Sequence, residues 1–77
     1  MSGQEIVVYT QYHCPNCDKV KSFLKQQGVS YVERNIVEDD SAMDELEAMG
    51  VLSVPITVRG DDVVIGYDRK RLEKLLD

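Results

Sequence analysis

No stretch of this sequence is apolar for long enough to cross a membrane. Its longest apolar runs, Ile6-Val7-Val8-Tyr9 and Val63-Val64-Ile65, end after four and three residues, against the roughly 20 that a helical span requires and the 7 or more of a secretory leader core. A cytoplasmic location is therefore expected, with no membrane as partner. Positive charge is scarce as well: 9 Lys and Arg stand against 14 Asp and Glu, a net charge of −5. A nucleic-acid binder needs a basic stripe to displace counterions from phosphates, so that class is excluded.

Metal donors are few. The chain has two cysteines and one histidine, all between His13 and Cys17, whereas a zinc site takes about four ligands. Only a dimer pooling its thiolates could hold zinc or an iron–sulfur cluster, and no metal ligand is assigned within one chain. Cysteine is also too sparse for a disulfide scaffold. Only two residues separate Cys14 from Cys17, and in the chain-entropy view so small a loop restricts the unfolded chain very little. A structural staple is a poor explanation for the pair, and the spacing asks for chemistry.

What is present fits one small domain over residues 1–77. A chain this short buries only about 60% of its unfolded surface and has nothing spare for a second core. At 43% hydrophobic and 30% charged residues it reads as an ordinary globular protein, without repeats, linkers or low-complexity tracts. A monomer is expected.

The β-branched and aromatic run EIVVYT, residues 5–10, predicts a buried central strand. Apolar side chains at Cys17, Val20, Phe23 and Leu24 follow helical spacing, with Pro15 suited to the first turn and Gly28 to a left-handed stop. That predicts a helix over about 15–27. VSYVERNIV, residues 29–37, predicts a second strand, with Val32 and Ile36 on one face and Tyr31 and Glu33 on the other. Strand, helix, strand is a right-handed βαβ unit with parallel strands.

A second helix is predicted over 41–49, capped by Asp or Ser, with Ser41 and Asp44 in capping-box spacing, Ala42, Met43, Leu46 and Met49 inward, and Gly50 as its stop. VPITVRGDDVVIG then gives two short strands joined at Gly60-Asp61 as a tight antiparallel hairpin. YDRKRLEKLLD closes the chain with a short helix, Asp68 as N-cap and Leu72, Leu75 and Leu76 on its apolar stripe. The order is β-α-β-α-β-β-α.

C-x-x-C at the junction of a strand and a helix in such a unit points to thiol–disulfide exchange. Cys14 at the helix N-terminus faces unpaired N–H groups and the positive end of the macrodipole, both of which favour thiolate over thiol. It is the expected nucleophile, and Cys17, one turn inside, the resolving thiol. His13 is a candidate for stabilising the thiolate or relaying a proton, with a solvated loop residue as the plain alternative. Asp18 would modestly oppose thiolate formation, although complementing the helix N-terminus is its simpler role.

The strand, CPNC, the helix, the later S-V-P, the hairpin and G-Y-D before the last helix together resemble the glutaredoxin family of the thioredoxin fold, across essentially the whole chain. The resemblance implies an α/β fold with a four-stranded mixed sheet of order 2-1-3-4 flanked by three helices, and a thiol–disulfide oxidoreductase. It implies no tightly held cofactor, glutathione as co-substrate, and disulfide-containing proteins as partners. It further implies that Pro55 is cis beside the cysteines and that the Val54 backbone pairs with a bound cysteine. Gly66, Tyr67 and Asp68 would hold the γ-glutamyl end of glutathione.

Two positions depart from that pattern. Gln11 stands where most glutaredoxins carry a cation for the glycine carboxylate of glutathione. Tyr67 replaces the second glycine before the Asp and places an aromatic side chain beside the groove. A glycine–aromatic pair there resembles the redoxins that serve ribonucleotide reductase and are recharged by thioredoxin reductase, although their usual Arg-Pro is missing. A thioredoxin-reductase-like flavoprotein is therefore the alternative electron source. Tyr12 is a further candidate for the lip of the substrate groove, and Arg69-Lys70-Arg71, against the helix dipole, for attracting an anionic partner.

Overall fold

Strand β1 (Ile6–Thr10) lies inside the sheet and is covered on both sides. The structure, a computed structural model, describes residues 5–77; residues 1–4 of the expected domain lie outside the described residues. Helix α1 (Pro15–Gln26) returns the chain to β2 (Val32–Asn35), which pairs with β1 in parallel. Helix α2 (Asp40–Met49) leads to β3 (Ile56–Arg59), antiparallel to β1, and β4 (Asp62–Ile65) pairs with β3 across the Gly60-Asp61 turn. Helix α3 (Arg69–Leu75) ends the described elements. The β-α-β-α-β-β-α succession is as read from the sequence, and the strand order β2-β1-β3-β4 is the one that the resemblance to the thioredoxin fold implies.

The alternation of β1 divides the core. Ile6 and Val8 point to the face covered by α1 and α3, where they meet Val20, Phe23, Leu24 and Leu72. Tyr9 points to the other face, against Ala42 and Leu46 of α2 and Ile56 of β3. Each fully buried leucine contributes about 1.5–3 kcal/mol by leaving water.

Three expectations need correction. The second strand spans only Val32–Asn35 rather than 29–37. At its start, the Val29 N–H donates to Leu24 O and the Gly28 N–H to Lys25 O, so these residues finish α1, with Gly28 at φ 71°. At its end, the Asn35 side-chain oxygen accepts from the N–H groups of Val37 and Glu38 and turns the chain out of the sheet.

The cap of α2 is Asp39, whose Oδ1 accepts from the N–H groups of Ser41 and Ala42, and the Ser41/Asp44 box is not used. A carboxylate one residue before the helix satisfies both donors and suits the dipole better than a hydroxyl placed inside the first turn. Met43 and Met49, expected inward, are each 38% exposed, because Ala42 and Leu46 alone face the sheet squarely.

The short edge strand β2 is held largely by charge. Arg34 donates from one nitrogen to both Glu45 oxygens at 2.6 and 2.8 Å and from the other to Asp39 at 3.0 Å, while Tyr9 donates its hydroxyl to Glu45 at 2.7 Å. Burial first, and then Glu45, push the Tyr9 hydroxyl up to about 12, so it stays a proton donor. The bonds from Tyr9 and Arg34 hold the Glu45 carboxyl below its ordinary range, and the Arg34 bond does the same for Asp39.

A carboxyl whose pKa is lower folded than unfolded adds stability above its unfolded value, about pH 4.3 for Glu, and that stability is lost as pH falls through the folded value. Wild type should therefore exceed Glu45→Gln in urea midpoint at pH 7. The gap should close as pH falls below the ordinary glutamate range and Glu45 takes up its proton. A gap that does not change with pH down to the onset of acid unfolding would show that the carboxylate charge is not what holds β2.

Candidate active site around Cys14 and Cys17

Sheet topology gathers the candidate residues at one edge. Strand β1 ends at the edge where β3, antiparallel to it, begins and where β4, antiparallel to β3, ends. The loop carrying Cys14, the Val54-Pro55 segment and the Gly66-Tyr67-Asp68 segment thus emerge side by side. The Gly66 N–H donates to Pro55 O at 2.8 Å and ties two of them together. Gly66 has φ 76°, a left-handed value that disfavours any side chain.

Cys14 is the N-cap of α1, in extended conformation at φ −122°, with Pro15 following as the first helical residue. Its Sγ accepts the Cys17 N–H at 3.1 Å, the hydrogen bond that a serine or aspartate oxygen makes at other N-caps. Any negative charge on this sulfur therefore meets an oriented donor and the helix dipole together. Cys14 is partly exposed, whereas Cys17 is only 1% exposed on the inner face of α1. The two sulfurs are joined as a disulfide, with the Cα atoms 5.2 Å apart.

The expected companions fall as follows. Pro55 is buried and the Val54–Pro55 bond is cis; Val54 packs partly buried against the α2-side cluster. His13 is exposed with φ 56°, the one described non-glycine residue in the left-handed region. Gln11 is exposed and brings no charge. Tyr12 is 51% exposed, and its hydroxyl donates to Glu38, which anchors the loop to the turn after β2.

Asp68 caps α3 by accepting the Arg71 N–H at 3.2 Å, and its other oxygen lies 3.4 Å from the Arg71 side chain. Arg69 pairs with Glu73 at 3.2 Å. These exposed pairs account for two of the three cations that run against the dipole of α3.

Some neighbours of the site left no sequence motif. On the α1 side of the sheet, Thr10, buried at the end of β1, donates its hydroxyl to Glu33 at 2.8 Å, and Lys21 reaches the same carboxylate at 3.1 Å. Burial opposes the charge on Glu33, but the bonds from Thr10 and Lys21 outweigh it and hold its carboxyl below the ordinary range. Lys21 also lies 3.7 Å from Asp18, so the carboxylate next to Cys17 has a counter-charge. The alternation that placed Glu33 with Tyr31 on one face was the available signal for this cluster. Lys19 sits over the Tyr67 ring, 5.9 Å from its centre, a contact between α1 and the start of α3 that no spacing rule reveals. Among the described residues, no group of three or more His, Cys, Asp and Glu is placed to hold a metal ion, and no helix is long and apolar enough to cross a membrane.

Comparison with known proteins agrees with this arrangement. A glutaredoxin-like 8.6 kDa protein in the rubredoxin operon of Clostridium pasteurianum is 26% identical over 73 residues, covering 94% of this chain and 97% of that protein. The chain also matches Spx global transcriptional regulators, of which it spans 50%. The crystal structure of the thioredoxin-like protein BC3987 is 38% identical, with a TM-score of 0.86 over 92% of this chain and 99% of that one. NrdH-redoxin from Escherichia coli, at 24% identity, shares the fold with a TM-score of 0.86 over 92% and 93% of the two chains. The glutaredoxin family profile matches residues 6–64, from the first residue of β1 into β4 and through both cysteines. The chain belongs to the glutaredoxin family.

Proposed function

We propose that this protein is a dithiol thiol–disulfide oxidoreductase of the cytoplasm, working as one domain, with Cys14 as nucleophile and Cys17 as resolving thiol. The observation that carries this reading is the asymmetry of the pair. Cys14 is partly exposed and its sulfur accepts the Cys17 N–H, while Cys17 is buried one helical turn away within disulfide reach. The Cys14 thiolate attacks one sulfur of a substrate disulfide and expels the other as a thiolate. The Cys17 thiolate then attacks Cys14, releases the second substrate thiol and leaves the Cys14–Cys17 disulfide, so two electrons pass to the substrate. Protein disulfides and glutathione mixed disulfides are the proposed substrate class. Val54, Pro55, Gly66, Tyr67 and Asp68, with Gln11, Tyr12 and His13 of the cysteine loop, are the proposed substrate-binding residues; the bond from the Gly66 N–H to Pro55 O, which joins two of these segments, supports the grouping.

A specific observation supports a second reading of the electron source. At the loop before Cys14 the neutral Gln11 is followed by Tyr12, which is bonded to the Glu38 carboxylate. That flank carries negative charge where a glutathione carboxylate would need a cation. Such a site suits recharging by a thioredoxin-reductase-like flavoprotein, as in the redoxins.

Reduced protein at pH 7 should be alkylated by iodoacetamide at least about tenfold faster at Cys14 than at Cys17, and about equally at both in denaturant. Equal labelling of the folded protein would remove the assigned roles. Cys17→Ser should accumulate mixed disulfides visible by mass spectrometry, and Cys14→Ser should lose all turnover. Disulfide reduction by Cys14→Ser would sink the mechanism.

NADPH consumption with glutathione and glutathione reductase, or with thioredoxin reductase instead, separates the electron sources. Under the glutathione reading, Gln11→Lys should raise the glutathione-dependent rate by about two- to fivefold, the worth of one exposed charge contact. Turnover with thioredoxin reductase alone would select the redoxin reading.

A further inference from the structure

We propose that the cleft between α1 and the start of α3 is a docking subsite for an acidic segment of a partner protein, whose carboxylate lies about two or three residues from the cysteine that exchanges with Cys14. This rests on the disulfide-exchange reading above and adds to it the chemical class of the protein substrate. The cleft has a volume of about 260 Å³ and is lined by Lys19, Ser22, Phe23, Gln26, Tyr67 and Arg69, and by Asp18, whose carboxylate lies 3.7 Å from the Lys21 ammonium. Neither cysteine nor Gly66 or Asp68 lines it; Tyr67 is the one residue it shares with the segment that the family resemblance assigns to glutathione.

Two cations are held over two rings there. The Lys19 ammonium lies 5.9 Å from the centre of the Tyr67 ring and the Arg69 guanidinium 5.8 Å from that of Phe23. Each ring fixes its cation without neutralising it. Among the described residues, Lys21, Arg34, Arg69 and Arg71 have acidic partners within 4.0 Å, whereas Lys19, like Lys25, Arg59, Lys70 and Lys74, has none; of these five only Lys19 lines the cleft. The Arg69–Glu73 pair has side chains 65% and 53% exposed, a geometry in which an incoming carboxylate replaces the old partner at little cost. Lys70 stands next to it, also exposed.

The rest of the molecule makes this cluster selective. With a net charge of −5 the chain repels acidic partners on average. Screening confines such effects to about 8 Å at physiological salt, so the local cations decide where a carboxylate lands. The reach also fits. Lys19 is five residues beyond Cys14, about 7.5 Å along the helix axis, which an extended partner covers in about two or three residues. The aromatic walls add a place for an apolar side chain beside the acid.

The test uses three synthetic peptides with one cysteine as a mixed disulfide with thionitrobenzoate, carrying Glu, Lys or Ser three residues from that cysteine. Attack by the reduced full chain forms the Cys14–peptide disulfide and releases the coloured thiolate. At low salt the Glu peptide should react about tenfold faster than the Lys peptide, and the ratio should fall below about twofold in 0.5 M salt. The double variant Lys19→Glu/Arg69→Glu should reverse the order, while Lys74→Glu, at the far end of α3, should keep it. Equal rates for the Glu and Lys peptides with wild type, or an unchanged order in the double variant, would overturn the proposal. If none of the three peptides reacts, the disulfide-exchange reading itself fails. The subsite is then judged by NMR titration with the S-methylated Glu peptide: shifts gathered at Lys19, Ser22 and Tyr67 support it, and no shifts there overturn it.

Discussion

The hydrogen bond from the Cys17 N–H to the Cys14 sulfur is the contact around which the rest of the site is arranged. A helix cannot begin without leaving its first N–H groups unpaired. In most helices a serine or aspartate oxygen supplies the cap, and here the capping atom is the sulfur proposed to react. Pro15 makes this possible, because its own nitrogen needs no partner and its fixed φ sets the helical direction at the residue after the cysteine. Capping and thiolate stabilisation thus become the same interaction.

That cap is useful only if the helix is anchored, and the anchoring comes from the two faces of β1. Val20, Phe23 and Leu24 seat α1 on Ile6 and Val8, which fixes the helix N-terminus at the edge where β1 ends. The mixed pairing of the sheet then leaves the segment before β3 no other place than beside the cysteine loop. On the opposite flank β2 has only four residues and little apolar grip; Val32 itself is exposed. The Arg34–Glu45–Tyr9 network and the Thr10–Glu33–Lys21 cluster, on either side of the sheet, supply what burial does not.

Most of this was legible in the sequence wherever one local rule decides the outcome. The Gly60-Asp61 hairpin, the Asp68 cap and the left-handed stop at Gly28 each follow from a single residue type at a fixed position. The second strand was read too long because VSYVERNIV has strand composition throughout, whereas its ends are set by backbone N–H bonds to the Leu24 carbonyl and to the Asn35 side-chain oxygen. Asp39 outcompeted Ser41 as cap through its charge and its place two residues earlier, which composition alone does not rank. At the site, the cysteines and the cis-Pro55 segment carried motifs. Lys19 did not, since its meaning arises only when α3 brings Tyr67 against α1.

Charge is distributed unevenly about the Cys14 sulfur, and this bears on what the proposed site accepts. Towards β2, the carboxylates of Glu33 and Glu38 are occupied by hydroxyl or lysine partners, so that flank is acidic but already satisfied. Towards α3, Lys19 and Arg69 rest on aromatic rings in exposed positions, Lys19 without an acidic partner and Arg69 in an exposed pair with Glu73. A symmetric small disulfide senses little of this difference. A polypeptide laid across the edge senses all of it, because its two sides meet opposite fields within one screening length. The departures from the family pattern at Gln11 and Tyr67 strengthen that contrast, one by removing a cation from the β2 flank and the other by mounting a cation on the α3 flank.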